Sequence, residues 1–426
     1  MYLPPVPWHS GSCRQNNPHG IPHPISVITG MWGGDMIKDG FVYVAVLIFL
    51  AGGIVILPKV LTGPRCQKFF SVFTPITMLY LGMMIFSSVG LWDSGSTSQA
   101  YQNLKNPLLY AMVFTMLLRC DMRKIGKLGP KMLLGFFSAT ATIAIGFILS
   151  FSVFRPFLGP DAWKALGALC GSWMGGTGNL LAVQAALDVS EEAMVNALVV
   201  DSIVPSLNLV FLIWFLSKYE KFNRWAKADA EKINQVGRSL SHEAEANRKS
   251  LHWQSLLFLL GLSLVLSAAA QTIGTLIQGV IPFFDKTTWS VLSVTLFGVI
   301  AAATPLGKLR GTEEVSNVLL YIIVALIASR ADISGMDNAP AWLLCGTFVI
   351  VIHLGLMALL AKLFRLDLFT CCVSTVANIG GTASAPVLVG SHSSALVPVG
   401  IIMALLGYVI GTGGGLIVAK ILALIA

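Results

Sequence analysis

Residues 171–179 form a glycine-rich polar stretch, Gly-Ser-Trp-Met-Gly-Gly-Thr-Gly-Asn, in the middle of an otherwise apolar segment. Glycines at this density are expected to break or loosen a helix. In lipid, an unwound backbone is tolerated only where protein buries it or where it lines a polar cavity. Its freed N–H groups favour anions and its carbonyl groups favour cations, so the stretch predicts a ligand or ion path. Close packing of glycines between helices is the structural alternative.

Residues 377–386, Ala-Asn-Ile-Gly-Gly-Thr-Ala-Ser-Ala-Pro, form a second stretch of this kind, in which Pro386 adds another helix breaker. Two broken helices in corresponding positions of two halves indicate a substrate site at the membrane midplane. The neutral oxygens of both stretches suit a hard cation such as sodium, and we expect Asn179 and Asn378 to share one site. The candidate substrate- and ion-binding residues are Ser172, Gly175, Gly176, Thr177, Asn179, Asn378, Gly380, Gly381, Thr382 and Ser384.

Two titratable side chains lie inside apolar segments and are candidates for coupling. Asp201 is an intramembrane carboxylate, which is costly and is by default a functional candidate. It could coordinate a cation, carry a proton, or make a structural hydrogen bond to a neighbouring helix. His353 could relay a proton, with a satisfied core histidine as the structural alternative. We expect no cofactor, only Na+ or H+ as a coupling ion.

Composition decides the class of protein that carries these residues. Lys, Arg, Asp and Glu make up 11% of the 426 residues, against about 25% in soluble domains. Because 55% of the residues are hydrophobic, most apolar side chains must face lipid or other membrane helices. The cations lie at the ends of apolar segments, so the net charge of +8 indicates membrane topology rather than nucleic-acid binding. Walker, dinucleotide-binding, HExxH and GxSxG motifs do not occur in the sequence, so we do not expect this protein to be an enzyme.

Long uncharged runs predict about six membrane-spanning helices in each half of the chain. The run from Leu368 to Ala419 is long enough to require at least two crossings. The predicted organisation is an N-terminal extension, expected to be disordered, at 1–40, a first transmembrane repeat at 41–217, a hydrophilic linker at 218–252 and a second transmembrane repeat at 253–426.

Two motifs recur in the same order in both halves, which indicates an internal duplication. Leu-Leu-Tyr at 108–110 precedes Arg119, as Leu-Leu-Tyr at 319–321 precedes Arg330, and a Gly-Gly-Thr motif follows in each half. The pairs Arg119/Asp121 and Arg330/Asp332 lie at span ends. We interpret them as topological signals, with gating salt bridges as the alternative.

The orientation of the halves depends on the number of crossings. Placing the basic clusters around Lys59 and Arg119 in the cytoplasm puts the N-terminus outside. Six spans would then place the positive linker outside and make the halves parallel, whereas a short extra crossing hidden in Trp253–Phe284 would make them inverted. We therefore expect an all-α polytopic membrane protein with inverted halves, about 11–13 transmembrane helices and two crossed discontinuous helices.

These motifs resemble the YjcL-like integral membrane protein family. The resemblance covers residues 41–424 and rests on Leu-Leu-Arg-Cys-Asp-Met-Arg at 117–123, Leu-Gly-Pro at 128–130 and the two glycine stretches. That family is grouped with bile acid:sodium symporters, cation:proton antiporters and glutamate:sodium symporters, which implies inverted repeats, crossed broken helices and elevator-like transport. The family often has Ser where Thr177 stands and Pro where Thr382 stands. A bacterial inner membrane or an endosymbiont-derived organelle membrane suits this family.

The predicted function is cation-coupled (Na+ or H+) symport of a small organic anion by an elevator-like mechanism, with the anion held against half-helix N-termini. One alternative is a cation:proton antiporter that uses Asp201, although antiporters of the related group usually carry the acidic residue in the crossing helix, and Ala165–Leu187 has none. The alternatives of another class are a membrane receptor or scaffold that does not translocate its ligand, and an intramembrane enzyme that uses Asp201 and His353. The expected partners are a small-molecule substrate and the lipid bilayer, and a homodimer is left open as an assembly.

Overall fold

A computed structural model describes residues 36–63, 66, 69–70, 75–120, 122–228, 251–281, 285–331, 338–392 and 396–426. Within these ranges the chain is α-helical, apart from a 3-10 turn at Pro305–Lys308 and an isolated β-bridge between Ile37 and Trp92. The helices are α1 Gly40–Val60, α2 Pro75–Ser88, α3 Ser98–Leu118, α4 Met122–Gly126, α5 Pro130–Leu158, α6 Ala162–Gly175, α7 Thr177–Ala186, α8 Glu191–Leu216, α9 Tyr219–Ala226, α10 Trp253–Val280, α11 Lys286–Ala302, α12 Thr312–Ala328, α13 Ala339–Phe364, α14 Leu368–Ile379, α15 Gly381–His392 and α16 Val397–Ile425.

The predicted all-α polytopic membrane class is confirmed. Among the described residues, six helices are individually long and apolar enough to cross a bilayer, namely α1, α5, most of α8, α10, α13 and α16. Residues 1–35 of the N-terminal extension, residues 229–250 of the linker, Asp121 and Asp332 lie outside the described residues. The roles assigned to these parts of the chain stay predictions.

Short polar side chains fix where several of these helices begin. The carboxylate of Asp39 accepts a hydrogen bond from the Val42 backbone N–H at 2.8 Å, and Asp367 accepts one from Thr370 N–H at 2.9 Å. Ser190 caps α8 in the same way through Ala193 N–H. Each cap satisfies a backbone donor that has no partner within the helix, and it therefore sets the register of the apolar segment that follows.

Helices α6 and α7 form a helical hairpin that reverses direction at Gly176. A Cβ added to Gly171 in α6 would lie 3.0 Å from Val183 in α7, and one added to Gly167 would lie 3.4 Å from Leu187, just after α7. Contacts at matched distances on both sides of Gly176 require antiparallel arms. We call residues 162–186 hairpin 1.

Helices α14 and α15 form a second hairpin, here called hairpin 2 (residues 368–392). The rings of Phe369, near the start of α14, and His392, at the end of α15, lie 5.1 Å apart. A single extended helix would separate such positions by roughly 35 Å. The prediction of two crossed discontinuous helices is therefore wrong in this detail. Each broken helix turns back at its glycines and forms a hairpin. The run Leu368–Ala419 accordingly crosses once, through α16.

The two halves are inverted relative to each other. Helices α3 and α12 carry the duplicated Leu-Leu-Tyr motif, and they run antiparallel. Arg119 at the end of α3 pairs with Glu313 in the first turn of α12, whereas Arg330 after α12 donates to Ser94 O and to Thr97 Oγ1 before α3. The repeated helices thus point in opposite directions, as an inverted duplication requires.

The hairpins also determine the face of the fold at which α8 ends and the linker begins. Among the described helices, five of the first half traverse the fold (α1, α2, α3, α5 and α8) and hairpin 1 does not. Five crossings return the linker to the face that holds the ends of α1 and α3. We call it the basic face, because Lys59, Arg119, Lys218 and Lys362 lie there, and the positive-inside rule predicts that it faces the cytoplasm. No extra crossing is present in α10, which is one continuous helix.

The described helices pack as two bundles. The frame bundle contains α1, α2, α3, α10, α11 and α12, and the hairpin bundle contains α5, hairpin 1, α8, α13, hairpin 2 and α16. Extensive packing occurs within each bundle, for example α3 against α12 and α6 against α16. Between them, contacts are sparser and come mainly from hairpin 1, α8 and α16. The duplication therefore contributes one hairpin and its supporting helices from each half to a single bundle.

Candidate functional site

A cavity of about 380 Å³ lies between the two bundles, at the tips of both hairpins. The frame bundle contributes residues near the basic-face ends of α2, α3 and α12, and the hairpin bundle contributes both tips, α8 and α16. The cavity therefore extends from the middle of the fold toward the basic face. Its polar lining side chains are Thr77, Ser172, Thr177, Asp201, Ser202, Ser206, Glu313, Asn317, Tyr321, Thr382, Ser384 and Tyr408.

The two hairpin tips meet at this cavity. A Cβ added to Gly381 would lie 3.8 Å from Gly176 Cα, and the backbone φ angles are +84° at Gly176 and +58° at Gly381. A left-handed conformation of this kind favours glycine, which explains why a glycine stands at each reversal. No side chain caps the N-terminus of α7. The tips therefore bring helix N-termini, with their unpaired N–H groups, to the cavity wall.

Asp201 lines the cavity from α8 and is held against hairpin 1. Its Oδ1 accepts hydrogen bonds from Ser172 Oγ and from Trp173 Nε1, both at 3.0 Å. The buried Trp173 ring packs edge-on against Phe147 at 5.2 Å, which fixes the direction of its N–H. The described basic side chains form no ion pair with Asp201. Neutral donors orient this carboxylate, and its negative charge has no cationic partner among them.

Each bundle contributes one polar interaction to the cavity near hairpin 2. Tyr408 of α16 hydrogen-bonds through its hydroxyl to Thr382 Oγ1 at 2.8 Å. In the frame bundle, Arg119 Nη2 lies 3.1 Å from Glu313 Oε2, with the Arg119 side chain 12% exposed and that of Glu313 63% exposed. Glu313 lines the cavity. Its exposure places this ion pair at the cavity entrance on the basic face.

The two asparagines expected to share one site make separate structural contacts. Asn179 donates to Gly175 O at 2.8 Å and accepts from Thr412 Oγ1 at 2.6 Å. Asn378 donates to Ser374 O at 2.9 Å and accepts from Thr140 Oγ1 at 2.8 Å. Both side chains are buried and neither is part of the described cavity lining. The structure therefore does not bring them together, and each ties its hairpin to a neighbouring helix.

His353 occupies the position of a satisfied core histidine. Its Nδ1 lies 2.8 Å from Thr142 Oγ1, and its Nε2 lies 3.0 Å from Thr375 Oγ1. The ring is fully buried and lies away from the described cavity wall. It therefore joins α13 to α5 and to hairpin 2.

The glycine stretch combines the two roles that the sequence left as alternatives. A Cβ on Gly175 would overlap Gly407 O of α16 and the Asn179 side chain, so Gly175 permits close packing. Gly176, Thr177, Gly380, Gly381, Thr382 and Ser384 line the cavity, as does Ser172. The packing role thus belongs to the α6 face toward α16, and the cavity role belongs to the tip.

A polar cluster joins the bundles on the opposite face. The Glu191 carboxylate at the start of α8 accepts from Tyr101 Oη and from Gln184 Nε2, both at 2.9 Å, and lies 3.5 Å from Lys105 Nζ. Burial raises the pKa of Glu191 above the usual carboxyl value. Tyr101 and Lys105 belong to the frame bundle, whereas Glu191 and Gln184 belong to the hairpin bundle. This cluster therefore fastens the bundles together on the side away from the cavity entrance.

Several of these residues were not found from sequence. Glu313 has the ordinary appearance of an acidic residue in a helix first turn, where the helix dipole favours it. Tyr408 offered a weak signal, since it is one of few polar side chains in an apolar helix. Glu191 lies just outside the apolar part of α8, where charged residues are common.

The sequence match to known proteins extends over nearly all of the helices described above. The family model described as "Protein of unknown function (DUF819)" matches residues 45–425, and thus both halves and both hairpins. The chain belongs to this family. The protein is also 24% identical over 360 residues to "Uncharacterized membrane protein YjcL" of Bacillus subtilis (strain 168), with 81% of this chain and 88% of the relative covered. This member of the DUF819 family is therefore an integral, multi-pass membrane protein of the YjcL-like type.

Proposed function

We propose that this protein is a secondary active transporter that couples a cation, Na+ or H+, to the symport of a small organic anion. In this proposal the hairpin bundle moves relative to the frame bundle and carries the bound solute with it, as in an elevator. The observation that carries the proposal is the cavity at the hairpin tips, which lies between the two bundles and contains Asp201. Its volume suits a small solute.

The charges of the cavity suggest how coupling would work. Helix N-termini at the tips favour an anion, whereas the Asp201 carboxylate repels it. A sodium ion or a proton on Asp201 removes that repulsion, so cation and anion bind better together than separately. This reciprocity is the thermodynamic requirement for symport.

A cation:proton antiporter is the second candidate, and the position of Asp201 favours it. Although α6 and α7 carry no acidic residue, the bonds from Ser172 and Trp173 hold Asp201 directly against the broken segment. An acidic side chain thus stands at the hairpin even though its sequence position is in α8. In this mechanism Asp201 would exchange one cation for the other without a solute.

Uptake of radiolabelled small carboxylates into proteoliposomes, with the internal pH followed in parallel, tests these proposals. Symport predicts carboxylate uptake that is driven by an inward gradient of sodium or of protons and that loses this dependence in Asp201→Asn. Antiport predicts proton movement driven by a sodium gradient alone. Asp188→Asn is the matched control, since it makes the same chemical change at an exposed position. Absence of both solute uptake and proton exchange in protein that binds a ligand would instead support a receptor or scaffold.

A further inference from the structure

The cavity lacks a free positive side chain, which is unexpected for a site that takes an organic anion. Its described lining contains the carboxylates Asp201 and Glu313 and no Lys, Arg or His. The guanidinium beside it belongs to Arg119, which pairs with Glu313 at 3.1 Å. The guanidinium of Arg119 is thus already paired with a carboxylate of the protein.

Arg119 is close to the hairpin tips. Met116 lines the cavity, and a Cβ added to Gly178, immediately behind the tip of hairpin 1, would overlap the Met116 sulfur. Arg119 follows three residues later, and residues at this spacing share a helix face. Displacement of Glu313 would therefore expose a guanidinium about one helical turn from Met116 and facing the cavity.

The duplicated arginine at the other end of the fold provides a comparison. Arg330 donates to Ser94 O at 2.5 Å and to Thr97 Oγ1 at 3.1 Å, and it lies over the ring of Tyr101 at 4.8 Å. These backbone, hydroxyl and aromatic partners hold it in a structural position. Arg119 instead meets a carboxylate that is largely exposed and can leave by rotation of a long side chain.

We infer that Arg119 recognises the carboxylate group of the transported anion and that Glu313 takes the place of that carboxylate when no anion is bound. This inference rests on the proposed function and names the substrate class, a small carboxylate. Binding exchanges one Arg–carboxylate pair for another, so the guanidinium is never left without a partner. The exchange requires no new buried charge. It also excludes small neutral solutes, which cannot replace Glu313.

Thermal stability of the purified protein in detergent tests this exchange, with sodium acetate, sodium succinate and sodium citrate as probes and acetamide as the neutral control. The sodium concentration is held constant with sodium chloride, and the ionic strength is matched with choline chloride. Glu313→Gln removes the internal competitor, so at least one carboxylate should stabilise it at about fivefold lower concentration than the wild type. Arg119→Gln should abolish the response. Glu314→Gln, at the exposed neighbouring position, should behave as the wild type.

The double variant Arg119→Gln/Glu313→Gln guards against a folding defect, because it leaves neither charge unpaired. It should be as insensitive as Arg119→Gln. An unchanged or weaker response of Glu313→Gln, a retained response of Arg119→Gln, or no response of the wild type and Glu313→Gln to any carboxylate would overturn the inference. Sodium-driven uptake of another class of solute would then leave the proposed transport function intact.

Discussion

Replacing Asp201 by Asn should increase the affinity for the anion in the absence of the coupling cation. The substitution keeps the shape of the side chain and leaves an oxygen that can accept from Ser172 and Trp173. It removes the negative charge from a cavity whose described residues offer that charge no cationic partner. In the proposed mechanism, the wild type achieves the same neutralisation only by binding sodium or a proton.

The size of the effect follows from the position of the carboxylate. Ser172 Oγ lies 3.0 Å from Asp201 Oδ1. Gly176 at the hairpin tip follows four residues later, about 6 Å along α6. An anion at the tip is then about 7 Å from the carboxylate, which at an effective dielectric constant of about 20 corresponds to about 2 kcal/mol of repulsion. Removing it should tighten anion binding about thirtyfold when no coupling cation is present.

The assay is the dissociation constant of a stabilising carboxylate, measured by calorimetry at high pH in choline chloride and again in sodium chloride. The wild type should bind more tightly in sodium, and Asp201→Asn should bind equally well in both. Asp188→Asn controls for the loss of one acidic group elsewhere. Equal affinities of wild type and Asp201→Asn in choline, or a sodium dependence that survives the substitution, would refute the electrostatic coupling.

Three further results are expected from the packing and burial around the site. Gly175→Ala places a methyl group against Gly407 O of α16, so it should lower the free energy of unfolding by about 1–3 kcal/mol. Gly413 lies in the same helix as Gly407, and a Cβ there meets nothing within 4 Å, so Gly413→Ala should be close to neutral in the same melting experiment. His353→Gln should reduce the melting temperature through loss of a hydrogen bond to Thr142 or Thr375, and its response to sodium and pH should match the wild type, because the ring is away from the cavity. Burial raises the pKa of Glu191, so its protonated form favours the folded state; the stability of the wild type relative to Glu191→Gln should fall as pH rises from the ordinary carboxyl pKa through the raised one, and a difference that grows with pH would contradict this.

The sequence was sufficient to locate the hairpin tips but not to predict the direction of the chain after them. Glycines at 175–176 and 380–381 indicate a helix break, because their effect on helix stability is local. Whether the chain then continues or turns back depends on packing between the arms, such as Gly171 against Val183. Small residues at these positions would serve a crossing helix equally well. The sequence therefore left open whether each half crosses the membrane an odd or an even number of times, and the two hairpins decide this.

The same distinction separates the cavity residues from the asparagines. Ser172, Thr177, Thr382 and Ser384 line the cavity because they are local to the tips, where local composition is informative. Asn179 is committed instead to Thr412, a partner 233 residues away in the chain. An amide in a glycine-rich stretch gives no sign of whether its partner is a ligand or a distant hydroxyl, since both satisfy the same donor and acceptor groups.

Inverted halves give the proposed transport a specific structural requirement. The cavity reaches the basic face beside Arg119 and Glu313, while the cluster around Glu191 joins the two bundles on the other face. Opening toward that other face requires the contacts of Glu191 with Tyr101 and Lys105 to break, because these residues belong to different bundles. The Arg119–Glu313 pair lies wholly within the frame bundle, so it is not broken by relative movement of the bundles and is free to respond to the solute instead. One polar group is thus suited to hold the conformation, and the other is suited to sense the anion.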